Sequence, residues 1–478
     1  MPPRRPHRLR TLLAAWLLCL PLLGASAQPN RVVLPDFGDP ASQLLSPAEE
    51  HELGQMLLRE LRRQLPVLDD LWLAHYLNSL GERLVSASSG SRYPFTFLLL
   101  RDRSINAFAA PGGIIAVNTG LIETTRNESE LAAVLAHEIA HVTQRHLARL
   151  YYRSQRWNLA STLGLLAAAI IAAYSPEAGR AAIYTGVAAN ASAQLAFTRD
   201  NEREADRIGQ RILAAAGFDA TAAGRFFQRL QAESLTDPDR TTEFLRTHPL
   251  TTQRIADALS LRPEAAGAGV RDSLSFRLAR ARVLGLDRGL ADLDGERGDT
   301  PELRLARATA LLENDHPRAA LAQLQRLPAD WRASTLVRLM RAQAALAQGQ
   351  TQPALRQLRA LYDSAPDNPA ILASLGRALL AAGRADEAFR LLSRRNGLTE
   401  RWPTLLKLRA DAAARSGRSA DSHEALARYY AGQGAWQLAA EQVRIAESAP
   451  DLTAVARARL GALKKEIETA RNATEAAR

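Results

Sequence analysis

The chain has 478 residues, 47% of them hydrophobic and 23% charged, and basic residues exceed acidic ones by 11. That length and apolar content exclude a disordered chain or a single small domain. One cysteine excludes a disulfide framework, and basic residues spread along the sequence rather than blocked together argue against nucleic-acid recognition.

Arg4, Arg5, Arg8 and Arg10 precede an apolar run from Thr11 to Leu23, and Ala25-Ser26-Ala27 fits a signal-peptidase site. The run is short for a membrane span, so residues 1–27 read as a cleaved Sec-type signal peptide. The twin arginines at 4 and 5 lack the following residues that folded export would need. Cys19 lies inside this segment behind Leu18, whereas lipoprotein cleavage requires a small residue there, so no lipid anchor is expected. The mature chain therefore has no thiolate to offer a metal.

Phe95 to Leu100 and Ile114 to Val117 read as strands, with Pro111-Gly112-Gly113 as a turn between sheet segments. Asn127-Glu128-Ser129-Glu130 then offers a helix N-cap with early acidic charge, and Leu131, Val134, Leu135 and Ile139 form an apolar stripe. Late in this helix stands His137-Glu138-Ile139-Ala140-His141. Two histidines four residues apart leave one helical face a turn apart, so both imidazoles can reach one metal ion. Glu138 is then held beside the metal's open position, where it can take a proton from water, the arrangement of a zinc metallopeptidase. His146, five residues past His141, falls on the opposite side of a continued helix and is excluded as a ligand.

Leu159 to Tyr174 is almost wholly apolar and is followed, after Ser175-Pro176, by an Ala-rich run to Phe197. A buried helical hairpin is the preferred reading, with a lid over the cleft or a membrane contact as alternatives. A catalytic zinc site needs a third protein ligand, and Arg199 to Gly209 supplies two glutamates. Positions 202, 205, 206, 209, 212 and 213 share one helical stripe, so Glu202 and Asp206 face inward with Ala205, Gly209, Ile212 and Leu213. Glu204 points away with Arg207 and Arg211. Buried carboxylates need a strong reason, and a metal supplies one. Glu202 is assigned as third ligand, and Asp206 as hydrogen-bond partner to the second ring nitrogen of a ligand histidine. A pair of buried carboxylates held by arginines is the alternative. Thr247-His248-Pro249 makes a rigid corner, because proline disfavours helix at the residue before it. His248 there could serve as a removable fourth ligand or stabilise an oxyanion.

Arg262-Pro263 to Val270 reads as a linker, and the chain beyond is almost entirely helical and repetitive. Gly349, Gly383 and Gly417 recur every 34 residues, as do Ala320, Ala354 and Ala388, and Leu324, Leu358 and Leu392. Pro366 ends one unit. That period, with small residues where paired helices touch, is the tetratricopeptide signature. The fourth unit departs from it, since Ser422 stands where alanine is expected and Gly434 follows Gly417 too soon. About four repeats and a helical cap to Arg478 are predicted, forming a curved solenoid whose concave face binds protein segments.

His137-Glu138-Ile139-Ala140-His141 with Glu202-Arg203-Glu204-Ala205-Asp206 resembles the zinc signature of the M48 peptidases, and Asn106 to Gly113 is similar to a segment typical of that family. A secretion signal in front and helical repeats behind resemble its periplasmic, repeat-bearing branch. The resemblance implies that the strand beside the metal helix, Asn106, Ala107, Phe108 and Ala109, is a sheet edge to which substrate adds as an extended strand. An ordinary hairpin packed under the helix is the alternative. The resemblance also favours a place near the active site for His248, and suggests outer-membrane proteins in assembly as clients.

The expected architecture is an α+β zincin-like metallopeptidase domain, mostly helical with a small sheet, followed by an all-α tetratricopeptide solenoid. The boundaries are a signal peptide at 1–27, the peptidase domain at 28–262, linker and leading helix at 263–300, and repeats with their cap at 301–478. The expected activity is periplasmic zinc endopeptidase, with one zinc ion per chain held by His137, His141 and Glu202, and Glu138, Asp206 and His248 in catalytic roles. Expected partners are unfolded or misassembled outer-membrane proteins, the outer-membrane assembly machinery reached through the repeats, and a peripheral membrane contact. A chaperone-like adaptor with latent peptidase activity is the alternative.

Overall fold

A computed structural model describes residues 46–88, 94–147, 149, 198–260, 272–296 and 298–476. The signal segment, most of the linker and the apolar stretch 159–197 lie outside the described residues. The described residues all fall within one compact unit, 40–478. Among them, no helix is long and apolar enough to cross a membrane.

The chain enters through α1 (Pro47–Gln64), which Ser46 and Glu49 close with a reciprocal capping box. Helix α2 (Leu71–Ala87) follows, capped by Asp70, whose Oδ1 accepts from Leu73 N at 2.8 Å. Three short strands then form one sheet, β1 (Thr96–Leu100), β2 (Ala107–Ala110) and β3 (Ile114–Asn118), in the order β1-β3-β2. β1 runs parallel to β3, with Thr96 opposite Ile114, and β2 returns antiparallel to β3, with Ala107 opposite Val117. Apart from Thr96 and Asn118 at their ends, the strands are apolar because both faces are covered. Phe97, Leu99, Ala107, Ala109, Ile115 and Val117 face the core shared with α2 and the metal helix. Leu98, Leu100, Ala110, Ile114 and Ala116 face Leu57, Leu58, Leu61 and Leu65.

After α3 (Thr119–Thr124), helix α4 (Glu128–Thr143) runs buried for nearly its whole length. Its Asn127 cap accepts from Glu130 N at 3.0 Å. The first-turn acids are tied down: Tyr76 donates to Glu128 at 2.9 Å, and Arg229 pairs with Glu130. Helices α5 (Arg199–Ala215), α6 (Ala222–Thr236), α7 (Pro238–Thr247) and α8 (Thr252–Ser260) complete the amino-terminal part. α5 lies along α4 and buries Glu202, Ala205, Gly209, Ile212 and Leu213.

The array begins with α9 (Leu274–Asp287) and α10 (Leu290–Gly295). Then come α11 (Pro301–Glu313), α12 (Pro317–Gln325), α13 (Ala329–Ala333), α14 (Thr335–Ala347) and α15 (Thr351–Ser364). The last are α16 (Pro369–Ala381), α17 (Ala385–Arg394), α18 (Asn396–Arg401), α19 (Pro403–Arg415), α20 (Ser419–Gly432), α21 (Trp436–Glu447) and α22 (Ala454–Ala476). Gly349, Gly383 and Gly417 take positive φ, the left-handed turn between paired helices. Asp315, 34 residues before Gly349, takes the same conformation at φ 58° without being glycine. Ala320, Ala354, Ala388, Leu324, Leu358 and Leu392 are fully buried between helices. Ser422 fits the fourth small-residue position because its hydroxyl donates to Ala410 O at 2.9 Å.

The array packs against the amino-terminal part through α2. Arg282 pairs with Asp70 at 2.7 Å, Arg401 reaches Asn78 at 3.0 Å and Glu82 at 2.9 Å, and Thr404 donates to Asp69 at 2.5 Å. Arg59 of α1 sits over the Trp436 ring near the array's far end. A cavity of ≈ 440 Å³ lies at this junction, lined by Trp72, Arg282, Leu339, Gln343, Arg377 and neighbours.

Candidate metal centre

Helical spacing on α4 aims His137 and His141 at the inward stripe of α5, which carries Glu202 and Asp206. The corner after α7 adds His248, whose N–H still closes that helix by donating to Phe244 O at 2.8 Å. One ligand atom from each of His137, His141, Glu202 and His248 lies within 4.8 Å of all the others, and all four residues are buried. His137 Nε2 stands 3.0 Å from His141 Nε2, 3.4 Å from His248 Nδ1 and 3.5 Å from Glu202 Oε2. Glu202 Oε1 stands 3.3 Å from His141 Nε2 and 3.1 Å from His248 Nδ1. Ligand atoms at zinc's usual bond lengths, set tetrahedrally, are roughly 3.3 Å apart, and these separations bracket that value.

The donor chemistry points the same way. His137 Nδ1 lies 3.0 Å from Asp206 Oδ1, which holds a proton on Nδ1 and makes Nε2 the atom that would meet a metal. Lone pairs crowded this closely are unfavourable unless a cation sits among them, and without a metal that is a proton held on His137. The residues present therefore fit zinc.

The charges are strongly coupled. Burial alone would raise Glu202, but His248 and the hydrogen bonds of His137, His141 and His248 hold it well below the usual carboxylate range. Burial opposes charge on His137 too, yet Asp206 and Glu202 push it up to about 10. His141 goes the other way, since burial outweighs Glu202 and depresses it well below its usual value. Burial raises Glu138, with nearby His248 and His137 opposing. The Glu138 carboxylate is fully buried and 3.5 Å from His248 Nε2, with the backbone of Ala109 as a lesser influence.

Each residue singled out in the sequence has a definite place. His137, His141, Glu202 and His248 converge, Glu138 adjoins them, and Asp206 backs His137. Ala107, Phe108 and Ala109 lie in β2, one of the two outer strands in the sheet order, which packs against α4. Asn106 precedes that strand, and its carbonyl accepts from Asn118 N at 3.0 Å.

Two readings need correction. Glu204 is not a purely outward residue: it lies 3.2 Å from His146 Nε2 and accepts from Arg149 Nη1 at 3.3 Å. His146 is not across the helix from the site. α4 ends at Thr143, Arg145 turns left-handed at φ 54°, and His146 Nδ1 comes 2.9 Å from His141 Nδ1. Arg254 was missed entirely. Its guanidinium is buried against Asp206 (2.7 and 2.8 Å), Glu202 (2.9 Å) and Pro249 O (2.8 Å). The signal was present, since Arg254 shares the buried stripe of α8 with Ile255 and Ala258. The arginine and metal readings of the two carboxylates thus hold together.

Residues 72–262 match peptidase family M48, and residues 345–412 match a tetratricopeptide repeat family. The chain is 39% identical over 283 residues to the beta-barrel assembly-enhancing protease of Escherichia coli, covering 59% of this chain and 58% of that one. It is 39% identical over 280 residues to the protein of the same name in Yersinia pestis (58% and 57%). Over 191 residues it is 31% identical to a mitochondrial metalloendopeptidase of Schizosaccharomyces pombe (40% and 53%). The chain thus spans little more than half the length of the curated relatives it matches.

Proposed function

Because residues 72–262 are a peptidase family M48 domain joined to a tetratricopeptide array, we propose that the protein is a periplasmic zinc endopeptidase. It would cleave misassembled or unfolded envelope proteins during outer-membrane protein assembly and quality control. The observation that carries this reading is the buried convergence of His137, His141 and Glu202 with Glu138 beside them.

When bound, zinc supplies a Lewis acid for the scissile carbonyl and lowers the pKa of the attacking water. Glu138 takes that water's proton and passes it to the leaving amine, a task that suits a carboxyl whose pKa burial has raised. Asp206 holds His137 in the tautomer that leaves Nε2 for the metal. The extended substrate adds beside β2 through main-chain hydrogen bonds, which suits clients chosen for being unfolded rather than for sequence. His248 fills the corner facing Glu138 and Glu202, where it would serve as a removable fourth ligand to the metal. The repeats recruit clients or assembly machinery, and the cavity between α2 and the array offers an inner surface for that purpose.

The test is zinc content and casein cleavage by the mature protein, Glu138→Gln and Glu202→Ala. About one zinc with cleavage reduced by roughly 10²–10⁴ in Glu138→Gln, and loss of metal in Glu202→Ala, are expected. Wild-type protein that holds zinc but cuts nothing would favour the adaptor reading, which the burial of every ligand makes specific. Wild-type protein that holds no zinc would end the peptidase reading.

A further inference from the structure

We infer that His146 and Glu204 form a relay that fixes the tautomer and ring orientation of His141, making both of them positioning residues of the metal centre. This rests on the zinc reading above. Asp206 serves His137 directly. The Nδ1 of His141 meets His146 Nδ1 at 2.9 Å, with the rings edge to face and their centroids 4.8 Å apart. The far nitrogen of His146 lies 3.2 Å from Glu204 Oε2, and Arg149 donates to the same oxygen. His146 itself is fully buried.

One assignment of protons satisfies this line with neutral rings. A carboxylate only accepts, so His146 Nε2 carries hydrogen and His146 Nδ1 is an acceptor. His141 Nδ1 must then be the donor, and His141 Nε2, the atom facing Glu202 and His137, is left bare. Moving the proton the other way would place it on the atom the metal needs. The chain reaches this geometry only because Arg145 turns left-handed at the end of α4. A helix continued through residue 146 would carry that imidazole away from His141. Behind His137 stands the carboxylate of Asp206, and behind His141 a neutral ring that passes on part of the charge of Glu204.

The experiment uses the full mature chain as wild type, His146→Ala, His146→Asn and Glu204→Gln. Zinc affinity is read by competition with a chromophoric chelator, and the ligand field by the visible spectrum of the cobalt(II)-substituted protein. His146→Ala is expected to weaken zinc by about 10–100-fold and to shift the cobalt bands. His146→Asn, whose amide oxygen can accept from His141, is expected to recover most of that loss. Glu204→Gln keeps an acceptor for His146 and is expected to lose less than His146→Ala. Wild-type affinity and an unshifted spectrum in His146→Ala would overturn the relay while leaving the zinc reading intact. So would His146→Asn no better than His146→Ala, since packing would then be the whole role. Wild-type protein that binds neither metal would remove the zinc reading, and the relay with it.

Discussion

Arg254 is the residue on which the negative side of the site depends. It is buried with two carboxylates, and removing it leaves both with less compensation. Arg254→Met is expected to destabilise the zinc-free protein by about 3–5 kcal/mol, and the zinc-bound protein by less, because the cation takes over part of the neutralisation. Thermal unfolding with and without chelator measures both. His137 adds a pH dependence to the zinc-free form. Its folded pKa of about 10 lies above the ordinary 6.5, so its contribution to stability is fully present below pH 6.5 and is lost as pH rises toward 10. Denaturant titrations of chelated protein across that window are expected to show a decline that His137→Gln lacks. At this scale the sequence was legible wherever helical periodicity held. His137, His141, Glu202 and Asp206 could be placed by counting along helices. His146 could not, because the count assumed that α4 continues, whereas it stops at Thr143. Arg254 joins the site from 48 residues beyond Asp206, and no local pattern encodes that distance.

Between elements, the approach of α5 to α4 sets the spacing of the ligands. A Cβ on Gly209 would lie 3.0 Å from His137 N and 3.1 Å from Ala136 C, against backbone that cannot swing aside. Gly209→Ala is expected to push the helices apart, costing roughly 1–3 kcal/mol and weakening zinc binding, as chelator competition would read. In the array, the left-handed turn between paired helices gives a second contrast. Gly383→Ala places a side chain in that conformation and is expected to cost about 1–2 kcal/mol. Asp315→Gly is expected to be neutral or mildly stabilising, and both follow from denaturant midpoints. The 34-residue spacing made these units visible beforehand. The conformation of Asp315 was not, since its aspartate hides the position that glycine marks elsewhere.

At the scale of the molecule, the main hydrophobic cluster runs from Leu71 in the peptidase part to Ala412 in the array. Arg282 and Asp70 stand at the seam with side chains 11% and 7% exposed. Arg282→Ala is expected to cost roughly 3 kcal/mol by leaving Asp70 buried without that partner, and to broaden or split the unfolding transition in calorimetry. The sequence suggested two bodies joined by a linker and gave no sign of this shared interior. Apolar residues on α2, α16 and α19 look alike whether they bury within a domain or across a seam.

That shared interior has a consequence for how the molecule is made. Every residue of the candidate metal centre has been synthesised by residue 248, so that end can form early. The face of α2 that meets the array is covered in part by α9 and completed only when α16, beginning at Pro369, has followed. On any route that folds the chain from its amino terminus, the young chain shows uncovered apolar surface for a long interval. It passes, before it is finished, through the same exposed condition proposed to mark its own substrates.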